Sequence, residues 1–168
     1  MVNWMYFPRN MILDEISREI VGAFKKVESA IDSYTQNLVS NDVLKCVEPH
    51  LLSLGFSVEQ GKRAEEKIHI PVLFGINGEA KLAFEADAYN QGKQYVIEVE
   101  AGRAVVNHQF LKDFFEACAM HSVEYLCIAV RNEYKKRKDF LQVCSFFDSL
   151  YMSGRMGIPL KGLLIIGY

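Results

Sequence analysis

The sequence predicts an α/β (α+β) fold of three layers, in which helices cover both faces of a central mixed sheet. Segments of helical and strand periodicity follow in the order helix, helix, strand, strand, strand, helix, strand, helix, strand. Short turns join the three consecutive strands, which favours an antiparallel three-strand meander. A later apolar run at 123–130 is nearly unbroken, as is typical of a central, parallel crossover strand that is buried on both faces.

Two helices are predicted before the sheet. Apolar residues recur three or four positions apart from Ile12 to Ile31, which predicts a first helix within residues 11–34. This helix either packs on the core or lies at its periphery. A second helix is predicted to begin in the polar cluster 40–42 and to end before Gly55, with a kink or restart at Pro49.

The meander and the elements after it follow from local patterns. The meander strands are predicted at 68–76, 80–89 and 93–101. Asn77 and Gly78 form the first turn, and Gln91 and Gly92 form a two-residue second turn. Helices are predicted at 107–121 and 138–151, and the last strand at 160–166. The whole chain, 1–168, is most simply one domain.

Composition excludes few functions. The net charge of −2 does not indicate a nucleic-acid binder, although basic residues cluster at 62–67 and 135–138. Such clusters are most often solvated surface. We expect a cytoplasmic protein without a membrane segment, because no apolar run is long enough and no signal peptide is evident. The four cysteines lie far apart within apolar patterns, which indicates reduced thiols.

Four carboxylates are predicted to share one face of the last two meander strands. Residues two apart in a strand point to the same side of the sheet. Glu85 and Asp87 therefore share a face, and so do Glu98 and Glu100. The two-residue turn places Glu85 opposite Glu98. Converging carboxylates repel one another, and such a patch indicates a site for a hard divalent cation. The alternatives are a solvated acidic face and a surface that docks a basic protein.

At these residues the chain resembles the PD-(D/E)XK nuclease superfamily, which has the restriction-endonuclease-like fold. The family signature is an acid on the second meander strand and an acid-x-acid/Lys tripeptide on the third, here Asp87 and Glu98-Val99-Glu100. Glu100 stands where lysine is usual, as in the BamHI-like and BglII-like branch. Ala86 replaces the proline of the family name. The resemblance covers about half of the chain, roughly from Asn41 to Val130.

The resemblance implies a Mg²⁺-dependent or Mn²⁺-dependent endonuclease that hydrolyses phosphodiester bonds in DNA. Asp87 and Glu98, with the carbonyl of Val99, would hold the ion. Glu100 would position or deprotonate the attacking water, or bind a second ion. Glu85 and Glu48 are further candidate ligands, with surface roles as the alternative.

Three basic residues are candidates for contact with substrate phosphate, namely Lys81, Arg103 and Lys112. Lys112 is also placed to supply the function of the absent lysine. Double-stranded DNA is the expected substrate, although RNA and sequence specificity stay open, and cutting both strands would most simply use a homodimer. The rival interpretation is a catalytically inactive restriction-endonuclease-like module that binds nucleic acid or protein.

Overall fold

The computed structural model describes residues 1–61 and 63–168, so Lys62 of the first basic cluster lies outside the described residues. The described residues form five α-helices and eight β-strands. The helices are α1 (Glu15–Lys26), α2 (Glu28–Ile31), α3 (Ser40–Ser53), α4 (Gln109–Ala119) and α5 (Asp139–Ser153). The strands are β1 (Asn3–Phe7), β2 (Ser57–Val58), β3 (Ile68–Phe74), β4 (Ala80–Ala86), β5 (Ala88–Asn90), β6 (Tyr95–Glu100), β7 (Tyr125–Val130) and β8 (Gly162–Gly167).

A six-stranded mixed sheet forms the centre of the fold, in the order β1-β8-β7-β6-β5-β2. Strands β6, β7 and β8 are parallel to one another, whereas β5 is antiparallel to β6 and β1 is antiparallel to β8. The predicted crossover strand is β7, and its residues 126–130 are fully buried. The prediction of a mixed sheet with a central parallel strand is therefore confirmed.

Helices cover both faces of this sheet, as predicted. On one face α1, α2 and α3 pack on the side chains of Tyr95, Ile97 and Val99. On the other face α4 and α5 enclose a core rich in phenylalanine. Helix α1 buries Ile20 and Phe24 completely, so the N-terminal helix packs within the core of the chain.

The N-terminal half differs from the sequence prediction in three local features. Strand β1 was not expected, because its partner β8 lies at the other end of the chain and five residues give a weak periodic signal. The predicted first helix is divided into α1 and α2, and α1 begins only after Asp14, whose carboxylate accepts a hydrogen bond from Ser17 N–H at 2.8 Å. Helix α3 continues through Pro49 as one element, where a kink or restart was predicted.

The meander is antiparallel but is divided between two sheets. Strands β3 and β4 form a separate two-stranded sheet, closed by a turn in which Asn77 and Gly78 both have positive φ. The predicted strand 80–89 bends at Asp87, and only its second part, β5, joins the main sheet. The prediction of one continuous three-strand meander was therefore wrong at this bend.

The second turn of the meander also differs from the prediction. Residues 91–94 form a four-residue turn, so Asn90 pairs with Tyr95 and Ala88 pairs with Ile97. The register is shifted by two residues from the predicted one, and an even shift leaves every side chain on its predicted face. Continuing this register by one pair brings Asp87, and not Glu85, opposite Glu98.

Two further features agree with the expectations from sequence. All four cysteines are free thiols. In the part of the chain that the structure describes, no helix has both the length and the apolar character needed to cross a bilayer.

The aromatic core between α4, α5 and the sheet gives a prediction about stability. Phe147 is fully buried and lies 5.1 Å from Phe114, measured between ring centroids, whereas its neighbour Phe146 is 40 % exposed. We expect Phe147→Ala to lower the free energy of unfolding by about 3–5 kcal/mol, because it leaves a cavity. This corresponds to a fall in Tm of roughly 10 °C by calorimetry. Phe146→Ala is the matched control, and a fall of equal size there would contradict this account.

Candidate functional site

The bend at Asp87 opens a cleft between β4 and β6. Strand β5 pairs with β6 only as far as Ala88 and Ile97, whereas β4, which precedes Asp87, pairs with β3. The end of β6 therefore has no strand partner on this edge. The carboxylate of Asp87 occupies the position of the missing strand and accepts a hydrogen bond from Val99 N–H at 2.7 Å. Since the N–H and C=O of one strand residue point to the same side, the carbonyl of Val99 faces the same opening.

The cleft has a volume of about 440 Å³ and a predominantly polar lining. It brings together the four carboxylates predicted to share a face, namely Glu85, Asp87, Glu98 and Glu100. It also contains residues from α3, from the segment before β3 and from α4. These are Ser40, Asn41, Glu59, Lys67, Gln109, Lys112, Asp113 and Glu116.

Burial and mutual repulsion favour the protonated forms of the carboxyl groups at the centre of the cleft. Burial raises the pKa of Asp87 to about 6, although the bond from Val99 N–H opposes the shift. Burial, together with the negative charge of Asp87, raises the pKa of Glu100 to about 7. The pKa of Glu98 is raised well above its ordinary value by burial and by the charges of Asp87 and Asp113.

Asp113 is a carboxylate of this cleft that was not identified from the sequence. Its side chain is 6 % exposed, and its Oδ2 has no hydrogen-bond partner among the described residues. Burial and the charge of Glu100 raise its pKa to about 8. A signal was present, because Asp113 lies on the buried stripe of α4 with Phe110, Phe114 and Ala117. An acid on an apolar stripe is unusual in a structural helix.

Two lysines line the cleft together with the carboxylates. Lys67 forms an ion pair with Glu85 and lies 3.9 Å from Glu59, measured from Nζ to Oε2. Lys112 binds Glu116 at 3.1 Å on α4. Burial lowers the pKa of Lys112, but the bond to Glu116 and the surrounding carboxylates outweigh it, so the net shift is upward. Lys112 is therefore a cation at neutral pH and not a base.

Glu59 was also missed by sequence reasoning. It follows β2, and its N–H donates to the carbonyl of Asp87 at 2.8 Å. Burial raises the pKa of this carboxyl group. No local pattern marks it, because only the pairing of β2 with β5 brings it to the cleft.

The structure separates the remaining predicted site residues. Lys112 lines the cleft. Arg103 lies exposed just after β6, and its positive charge partly offsets the rise in the pKa of Glu100. Lys81 lies toward the far end of the two-stranded sheet and does not line the cleft. Glu48 also lies outside the cleft lining, and its Oε1 accepts a hydrogen bond from Gln60 Nε2 at 2.7 Å.

The donors of the cleft fit a hard cation in their chemistry. They are carboxylate oxygens and a backbone carbonyl, and Asp113 offers a buried oxygen that lacks a protein partner. Among residues 1–61 and 63–168, no three carboxylate, imidazole or thiol side chains stand close enough to enclose an ion. An ion held there would have at most two of these side chains as ligands and would keep several waters.

Comparison of the chain with models of known protein families gives no match, and comparison with curated proteins gives none.

Proposed function

We propose that this protein is a divalent-metal-dependent endonuclease that hydrolyses phosphodiester bonds in DNA at the cleft around Asp87. The observation that carries the proposal is the convergence of four carboxyl groups in one cleft, namely Asp87, Glu98, Glu100 and Asp113, where burial raises their pKa values. Such a group is costly to bury unless a cation neutralises it or catalysis uses its shifted pKa values.

The cleft also suits a phosphodiester. Asp87 and Glu98, with the carbonyl of Val99, are the groups that would hold Mg²⁺ or Mn²⁺. The bound ion would polarise a phosphate oxygen and lower the pKa of a water ligand. Lys67 and Lys112 line the same cleft and provide positive charge for the phosphates of the substrate.

Glu100 is the proposed general base. Its pKa of about 7 lets the carboxylate accept a proton from a water molecule near neutral pH. Lys112 holds its proton and contributes charge in place of the lysine that the third strand lacks. Asp113 lies on the helix that faces the acids and adds an acceptor to the same cleft. Glu85, already paired with Lys67, is a peripheral ligand in this scheme.

The fold assignment is part of the same proposal. The antiparallel pair β5–β6, followed by α4 and the parallel strand β7, supports a restriction-endonuclease-like core. Cutting a duplex by one such chain would most simply use a two-fold homodimer. The four free thiols support a cytoplasmic location.

A cleavage assay on supercoiled, linear and single-stranded DNA tests the proposal. We expect strand cleavage with Mg²⁺ or Mn²⁺ and none in EDTA, because the acids require a cation to approach a phosphate. Cleavage that is equal in EDTA would contradict the metal-dependent mechanism. An inactive binding module would instead retain DNA in a mobility-shift assay and leave it uncut with every divalent metal.

A further inference from the structure

A short basic hairpin follows β7 and lies outside the proposed reaction. Residues 131–138 form this basic hairpin, in which Tyr134 and Arg137 exchange backbone hydrogen bonds of 2.8 and 2.9 Å. The two turn residues, Lys135 and Lys136, have φ values of +50° and +67°. Two positive φ angles in a two-residue loop are typical of a type I′ turn.

Lysine is an unfavourable choice at both turn positions. Type I′ turns favour Asn-Gly, because glycine has no Cβ and asparagine tolerates positive φ better than most other residues. Both lysines are nevertheless present and exposed at the tip. Strained backbone of this kind clusters at binding and active sites.

The two arginines of the basic hairpin are already engaged in holding its shape. Arg131 donates to Asn37 Oδ1 at 2.9 Å and to the carbonyl of Leu38 at 2.5 Å. Arg137 forms two bonds with the buried carboxylate of Asp139, at 2.6 and 3.0 Å. Lys135 and Lys136 have no carboxylate partner in the part of the chain that the structure describes. They are therefore available for a ligand.

Tyr134 packs the basic hairpin against Gly102, just after the Glu98-Val99-Glu100 motif. A Cβ built on Gly102 would lie 2.7 Å from the Tyr134 ring, so the ring packs directly on this glycine. Gly102 has a φ of +90° and follows Glu100 by two residues. The guanidinium of Arg131 and the ammonium of Lys135 lie 5.0 and 5.3 Å from the ring centroid. The cationic tip is thus fixed in position relative to the carboxylates.

A second polar cleft lies beside the basic hairpin. It has a volume of about 410 Å³ and is lined by residues 33–37 together with the basic hairpin. Arg131, Lys135 and Lys136 contribute positive charge there, against the single carboxylate of Glu133. The segment that lines it continues to Ser40 and Asn41, which line the carboxylate cleft. One segment therefore borders both clefts.

We propose that Lys135 and Lys136 bind the phosphodiester backbone of the nucleic-acid strand that passes through the carboxylate cleft. The inference rests on the proposed function and specifies where the flanking strand runs. Two exposed ammonium groups beside a polar cleft contact phosphates without reading sequence. They also offset the repulsion between the carboxylates and the substrate.

Binding of fluorescein-labelled duplex DNA in EDTA, measured by anisotropy over a range of salt concentrations, tests this inference. We expect Lys135→Gln/Lys136→Gln to weaken binding roughly ten-fold and to reduce the slope of log K against log salt by about 2, one unit per phosphate contact. The matched control is Lys25→Gln/Lys26→Gln, which removes two exposed lysines from the last turn of α1. We expect the control to leave both quantities near the wild-type values.

A third variant separates binding from structure. Lys135→Asn/Lys136→Gly has the preferred sequence for this turn, so we expect a higher Tm together with the same loss of affinity. A higher Tm with unchanged affinity would overturn the inference and assign the turn a structural role alone. Equal losses in the α1 control and the hairpin variants would also overturn it. Wild-type protein that binds neither duplex nor single-stranded DNA would overturn this inference and the proposed function together.

Discussion

Asp87→Asn is expected to reduce metal-dependent DNA cleavage by at least about 100-fold. The substitution removes the charge that would hold the ion, and metal catalysis contributes several kcal/mol to the barrier. The fold should persist, because the asparagine Oδ1 can still accept the hydrogen bond from Val99 N–H. Single-turnover cleavage with Mg²⁺ or Mn²⁺, with circular dichroism to verify folding, measures the effect.

Glu48→Gln is the matched control for this experiment. It also removes one negative charge, but Glu48 lies outside the cleft lining and accepts a bond from Gln60. We expect cleavage within about two-fold of wild type, since isolated surface changes have small effects. A loss in Glu48→Gln as large as that in Asp87→Asn would contradict the position of the site. Activity retained by Asp87→Asn would exclude Asp87 as the principal ligand.

Asp113→Asn is expected to raise the Tm of the metal-free protein at pH 8 and to raise it less at pH 5. The pKa of Asp113 is raised to about 8, so the folded state binds more protons than the unfolded state from about pH 4 to 8. Stability is then present at acid pH and is lost as the pH rises through this window. The neutral amide removes one contribution to that loss.

The effect should be measurable by calorimetry in EDTA. The charges of Glu100 and Asp87 oppose the ionisation of Asp113, whereas the charge of Lys112 favours it. We expect a gain of at least about 2 kcal/mol at pH 8, or roughly 6 °C in Tm. Glu19→Gln, at an exposed position on α1, is the control. A gain of equal size at pH 5 and pH 8 would show that the raised pKa of Asp113 is not its cause.

The same carboxylates predict stabilisation by a cation. Adding Mg²⁺ or Mn²⁺ at pH 8 should raise the Tm of the wild-type protein, because an ion that binds only the folded state stabilises it by mass action. Asp87→Asn should lose most of this rise, and Glu19→Gln should keep it. A Tm that does not depend on the ion would contradict a cation site in the cleft.

The sequence indicated the main sheet because its signals are local. The apolar run of β7 and the alternation in β6 mark strands without reference to any distant residue. The face of each acid in the motif was also predictable, because side chains alternate with a period of two and the register shift was even. Asp87, Glu98 and Glu100 therefore reached one cleft as expected.

Long-range pairing could not be predicted. Strand β1 depends on β8 at the other end of the chain, and Glu59 reaches the cleft only through the pairing of β2 with β5. The bend at Asp87 could not be predicted for a similar reason. One strand-like segment, 80–90, is divided between two different sheets, and each part pairs with a different strand. The strand propensity of a segment does not indicate which partner strand it will pair with.

By itself the sequence determined which acids share a face, because strand periodicity is a property of the backbone. The tertiary structure alone decided which groups surround them. It placed Asp113 opposite the acids by the packing of α4, and it fixed Tyr134 on Gly102 by the close approach of two loops. Packing determines distances between segments that are remote in sequence, and those distances set the pKa values and the charges of the cleft.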